Sequence, residues 1–179
     1  MAYASKDLIE EHEAILHGLS ILEKMTALLD TPTDALRKDL QDMVDFLVLF
    51  ADTCHHGKEE GLLFPAMEQA GIPKESGPIG QMLHEHEQGR AFIRGMKQAL
   101  GGESVDAGAF RTNASGYIEL LRAHIEKENQ ILFPMGDRFL PPEKQQELLE
   151  AFDKHEEEVI GAGVHERLHA MLDDFASRY

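Results

Sequence analysis

Apolar positions in this chain recur every three to four residues over long stretches, the spacing of one face of an α-helix. Leu8, Ile15, Leu19, Leu22, Met25 and Leu29 form such a stripe between Ser5, placed to cap a helix N-terminus, and the breaker Thr31-Pro32-Thr33. A second stripe, Leu36, Leu40, Met43, Phe46, Leu47 and Phe50, predicts a helix from about Thr33 to Gly71-Ile72-Pro73, with Pro65 kinking it or ending its regular part. A third helix opens at Ser76-Gly77-Pro78 and stops at Gly101-Gly102, and a fourth spans about 109–140 with Pro134 in the place of Pro65. A fifth covers about 143–178, with Gly161 and Gly163 placed to interrupt it. Four long helices joined by short loops predict an all-α, up-down-up-down four-helix bundle over about 5–140. The C-terminal helix is added at its side or end, within a single domain spanning 1–179.

Composition supports helices: there is no Trp, and aromatic residues are 7% of the chain. The formal net charge of −16 argues against nucleic acid or an anionic membrane as partner. The one cysteine, Cys54, excludes an internal disulfide and any cysteine-rich metal site. No apolar run has signal-peptide or membrane-span length, so a cytoplasmic location is expected.

The chemistry lies in a repeat. His55 to Pro65 and His124 to Pro134 share the frame His-x3-Glu-x4-Phe-Pro, and each is preceded by a Glu-His-Glu triplet, at residues 11–13 and 85–87. Histidine and glutamate four apart lie on one helix face, about 6 Å apart along the axis. His12, His55, Glu59, His86, His124 and Glu128 can therefore converge on one interior point of a bundle. Imidazole and carboxylate without thiolate suit iron, manganese or zinc, and two carboxylates can bridge two such ions. Six ligands leave open positions for water, O2, peroxide or NO.

On these residues the chain resembles the hemerythrin family, and more closely its HHE cation-binding branch, over about 8–140. The resemblance implies two irons in a four-helix bundle, with manganese or zinc as possible substitutes. It implies bridging roles for Glu59 and Glu128 and terminal roles for the four histidines. Oxygen-carrying hemerythrins have a histidine pair i,i+4 on the third helix. Here His86 is flanked at those distances by Met82 and Arg90, and the last-helix carboxylate stands at +4 rather than +5. The resemblance therefore implies a member that senses oxygen or iron, handles reactive oxygen or nitrogen species, or repairs damaged iron centres, rather than a simple oxygen carrier. The repair proteins usually carry an N-terminal cysteine-bearing segment, which has no counterpart in this sequence.

Neighbouring residues widen the candidate set. His56 follows the first ligand directly, where the second copy has Ile125, and is a candidate seventh ligand or hydrogen-bonding partner. Glu60 reads as a surface ion-pair residue, His84 as exposed, His17 as awkwardly spaced, and Cys54 as a small buried hydrophobe. Leu63, Phe64, Leu132 and Phe133 read as core. His165-Glu166-Arg167-Leu168-His169 matches the zinc-protease frame but lacks a downstream third ligand. His155, Glu158 and His165 are alternatives for completing the site from the last helix.

Overall fold

The computed structural model describes residues 3–179. The first long helix, α1, is Ala4–Ala27. The second combines α2 (Asp34–Phe46), π-helical segments Leu47–His56 and Glu59–Leu63, and α3 (Phe64–Gln69) without a break. The third is α4 (Pro78–Leu100). The fourth combines α5 (Ala107–Lys127), a π-helical segment Glu128–Leu132, and α6 (Phe133–Phe139). The predicted last helix is two, α7 (Pro142–Val159) and α8 (Val164–Arg178).

Local chemistry sets most of these ends. Thr33 caps α2, its hydroxyl accepting from the Leu36 N–H at 3.1 Å, and Asp106 caps α5 in the same way through Ala109. Pro78 and Pro142 occupy first-turn positions, where a missing N–H costs nothing. Ser5 is not a cap: the helix begins one residue earlier, and the Ser5 hydroxyl donates to Asp137 at 2.8 Å. The break between α7 and α8 falls where Gly161 and Gly163 take φ of +82° and +75°, a left-handed backbone that glycine alone adopts without strain.

Pro65 and Pro134 act before their own positions rather than at them. The N–H of Phe64 bonds to the Glu59 carbonyl, and that of Phe133 to the Glu128 carbonyl, each five residues back. The i→i+5 register widens the turn that a proline would otherwise crowd against its i−4 carbonyl. The helix thus continues through the proline, and the irregularity coincides with the Glu of each motif.

Two apolar clusters fill the interior. One gathers Ile15, Leu19, Phe46, Phe50, Cys54, Ile93, Tyr117 and Ile125 with their neighbours. The other gathers Leu8, Leu63, Phe64, Met67, Met82, Leu132, Phe133, Leu148 and Phe152. On every long helix the proposed ligands fall where one cluster gives way to the other, His124 standing just before Ile125, the last member of the first cluster on its helix. The core is a sandwich of apolar, polar and apolar layers. α7 closes the second cluster with Leu148 and Phe152, and α8 packs Leu172 and Phe175 on the first. Phe152→Ala is expected to cost about 3–5 kcal/mol in urea unfolding of the metal-free chain, against about 1 kcal/mol for the exposed cap change Thr33→Ala.

Candidate metal centre

The polar layer holds His12, His55, His56, Glu59, His86, His124 and Glu128, each no more than 4% exposed. Their donor atoms fall into two groups: His12, His55, Glu59 and Glu128 form one, and His56, Glu59, His86 and His124 the other. Within each group the ligand atoms lie within 4.8 Å of one another, and Glu59 belongs to both. One Glu59 oxygen stands 3.5 Å from His55 Nε2 and the other 3.3 Å from His86 Nε2. Glu128 Oε2 also reaches both groups, 3.2 Å from His12 Nε2 and 3.3 Å from His124 Nε2. Both carboxylates therefore span the two groups.

These atoms are short of hydrogen bonds. The Nε2 atoms of His12, His55 and His56 and all four oxygens of Glu59 and Glu128 are buried without a hydrogen-bond partner. Leaving so many polar atoms unpaired in one place is costly unless a cation engages them. The donor set fits two transition-metal ions bridged by carboxylates.

A second tier of residues aims the imidazoles. His55 Nδ1 lies 2.7 Å from Glu11 Oε2 and His124 Nδ1 lies 2.9 Å from Glu85 Oε2. Glu11 in turn accepts from Lys58 at 2.7 Å, and Glu85 from Lys127. His86 Nδ1 meets Glu60 Oε1 at 2.7 Å, and His12 Nδ1 meets Asn129 Oδ1 at 2.8 Å. The rings of Phe64 and Phe133 stack on His86 and His12, at 6.0 and 5.4 Å. With Nδ1 donating outward, each Nε2 is left to face the centre. The motif now has a reading at nearly every position. The residue before its Glu clamps a carboxylate, the residue after it orients a histidine from another helix, and the Phe stacks on that same histidine.

The two halves part company around His56. Its ring stacks on His86 at 3.8 Å, and its Nδ1 lies 3.3 Å from Asp52. Asp52 also accepts from Arg90 at 3.0 Å, and Arg90 reaches Glu60 at 2.8 Å. Glu60 is thus half-buried and orients His86 besides pairing with Arg90, more than the surface role expected of it. Ile125 and Asn129 stand where His56 and Glu60 stand in the other copy, so one metal group is richer in imidazole and charge.

The remaining candidates fall outside the centre. His17 and His84 are exposed. His155 Nε2 contacts the Thr53 carbonyl at 3.2 Å, Glu158 pairs with Lys154 at the surface, and His165 faces Glu156 at 3.9 Å. The last helices touch the second tier instead, through Glu156, which accepts from Lys58 at 3.2 Å. Cys54 is fully buried, and burial, the largest influence, raises its thiol to about 12. Sequence reading missed Asp52, Lys58 and Arg90, whose charge signals a solvated surface until the fold surrounds them.

A family model, the hemerythrin HHE cation binding domain, matches residues 4–136. The chain belongs to that family. Hemerythrin HHE relatives include the iron-sulfur cluster repair protein YtfE of Edwardsiella ictaluri, 29% identical over 72% of this chain and 61% of that protein. The repair protein DnrN of Neisseria gonorrhoeae is 34% identical over 52% of this chain and 60% of its own length. An uncharacterised protein of Mycobacterium tuberculosis is 24% identical over 88% of this chain and 63% of its own length. The chain thus spans less than two thirds of each. No solved structure matches. The neighbouring helix adds a third imidazole, His56, to the group that contains His86 and His124.

Charge in the layer is tightly balanced. Burial pushes Glu128 upward, but His124 and His12 outweigh it and hold the carboxyl well below the usual range. Burial likewise raises Glu11 and Glu85, yet His55 with Lys58, and His124 with Lys127, hold each at about 2. Burial lowers His56 well below 6.5, and its neighbour His86 adds to the effect, leaving a neutral ring. His124 is opposite: burial lowers it, but Glu128 and Glu85 push it up to about 10 from 6.5. A histidine raised in the folded state contributes stability that is complete below about 6.5 and lost as pH rises through about 10. The metal-free chain is expected to lose thermal stability across that window, and the metal-loaded chain to resist, because the cation takes the proton's place. Lys58→Met, which strands the buried Glu11 charge, is expected to cost about 3–5 kcal/mol, measured on metal-free protein.

Proposed function

We propose that the chain is a non-haem di-iron protein whose centre engages O2, peroxide or NO in sensing or protection. His12 and His55 hold one ion, His56, His86 and His124 the other, and Glu59 and Glu128 bridge them. Manganese or zinc could occupy the same donors. The observation that carries this reading is the convergence of five imidazoles on two buried carboxylates whose four oxygens have no hydrogen-bond partner.

Bound iron supplies redox chemistry and open coordination positions for a small ligand. The chain's own residues govern what reaches it and in what state. Asp52, His56, His86, Gly89, Arg90, Ile93 and Tyr117 line a cleft of about 10 Å³ beside the imidazole-rich group. That is room for about one water-sized molecule. Glu11, Glu60, Glu85 and Asn129 fix the histidine tautomers, and the apolar clusters on either side exclude bulk water. Repair of damaged iron centres is the second reading, supported by the relatives named for iron-sulfur cluster repair. Cys54 is buried with its thiol held protonated, so that residue is not placed to supply thiol chemistry for such repair.

Anaerobic iron loading followed by elemental analysis should give about two irons per chain, a count set by the two donor groups. Oxygen or NO should then change the near-ultraviolet and visible spectrum. His55→Ala and His124→Ala should each lower the iron content. His56→Ala should keep two irons but alter the spectrum and weaken one ion by roughly tenfold or more. Loss of no iron in any of these variants, or no tight metal in the wild type, would overturn the assignment. Peroxide turnover abolished by His55→Ala would make the protein an enzyme; reversible spectral change without turnover would make it a binding protein.

A further inference from the structure

A pair of histidines stands outside the centre, on a part of the chain beyond the family-matched residues. His165 and His169 lie one turn apart on α8, and their Nε2 atoms approach to 3.3 Å with the rings nearly perpendicular. Two nitrogens bound to one tetrahedral zinc ion at the usual bond length of about 2.0–2.1 Å stand about 3.3 Å apart. The rings are held where they are. Phe50 stacks on His165 at 5.5 Å and meets His169 edge-on at 6.2 Å. The Nδ1 of His165 faces the Glu156 carboxylate at 3.9 Å, which leaves Nε2 as the coordinating atom. His169 is exposed and His165 about 39% exposed, so a cation reaches the pair from solvent.

We propose that His165 and His169 form a bidentate surface site for a borderline divalent transition metal, such as Zn2+, Ni2+ or Cu2+. The intervening Glu166 gives the pair the frame of a zinc protease, but such an enzyme needs a third protein ligand. Among the described residues no third histidine, cysteine or carboxylate joins these two in a ligand cluster. Water completes the coordination, and the site captures a cation without hydrolysing peptides. Glu156 ties it to the interior: one carboxylate oxygen faces His165 and the other accepts from Lys58, which donates to Glu11 behind His55. Charge added at the surface therefore acts on the same carboxylate that steadies Lys58.

The test is calorimetric titration of Zn2+ into full-length protein already loaded with iron. About one further Zn2+ per chain is expected, matching the single histidine pair. His165→Ala and His169→Ala should each weaken it by at least roughly tenfold, with unchanged iron content and melting temperature. Glu166→Ala should leave it unaltered. Electron paramagnetic resonance of Cu2+ added in place of Zn2+ should show coupling to two imidazole nitrogens in the wild type and one in either variant. No further equivalent of Zn2+, or one undiminished in both histidine variants, would overturn the proposal. Should the interior take up no iron, the wild type must still bind one Zn2+ more than His169→Ala, so failure of the di-iron reading and failure of this one are separate results.

Discussion

Two carboxylates buried at the middle of a helical bundle set the terms for everything around them. Glu59 and Glu128 have no exposed surface, and a buried carboxylate left to itself is among the costliest groups a protein can contain. The chain answers with positive charge or the capacity to recruit it. Imidazoles face the oxygens, carboxylates stand behind several of the imidazoles, and Lys58, Lys127 and Arg90 stand behind the carboxylates. Signs alternate outward from the centre until solvent is reached. The packing of the helices, the widened turns and the stacked Phe rings all serve to hold that alternation in register.

The order is nearly two-fold, as a doubled helix pair requires, and its departures are concentrated on one side. His56, Asp52, Glu60 and Arg90 have no like-for-like partner in the other half, where Ile125 and Asn129 occupy matching places. The small cleft opens on that same side. One half is the plainer, and the other carries an additional ring and an arginine beside the small cleft. The two donor groups thus have unequal surroundings.

Much of this was legible before the fold was known. The doubled motif singled out side chains that the fold gathers in one buried layer, because each half places its histidine and glutamate on one helix face. The helix boundaries followed from proline and glycine, whereas Ser5 proved not to be a cap and the cap at Asp106 went unread. What escaped were features that depend on through-space partners. Glu11 and His55 are 44 residues apart, and nothing local says that one orients the other. Lys58 looks like a solvated residue until Asp7, Glu11 and Glu156 are seen around it. The widened turns were invisible because Pro65 and Pro134 report a disturbance without saying on which side it falls. The splitting of the last helix was foreshadowed by two glycines, whose positive φ only the backbone reveals.

The layering has a consequence for how the molecule comes apart. Each long helix crosses from one apolar cluster to the other through the polar layer, and the layer is where lateral attraction depends most on a bound cation. Ions held there would act as rivets between two otherwise separate oily blocks. With the rivets in, the blocks would be expected to share one cooperative unfolding transition. With them out, the bundle has a seam across its waist, and amide exchange in the blocks is free to follow two different opening energies.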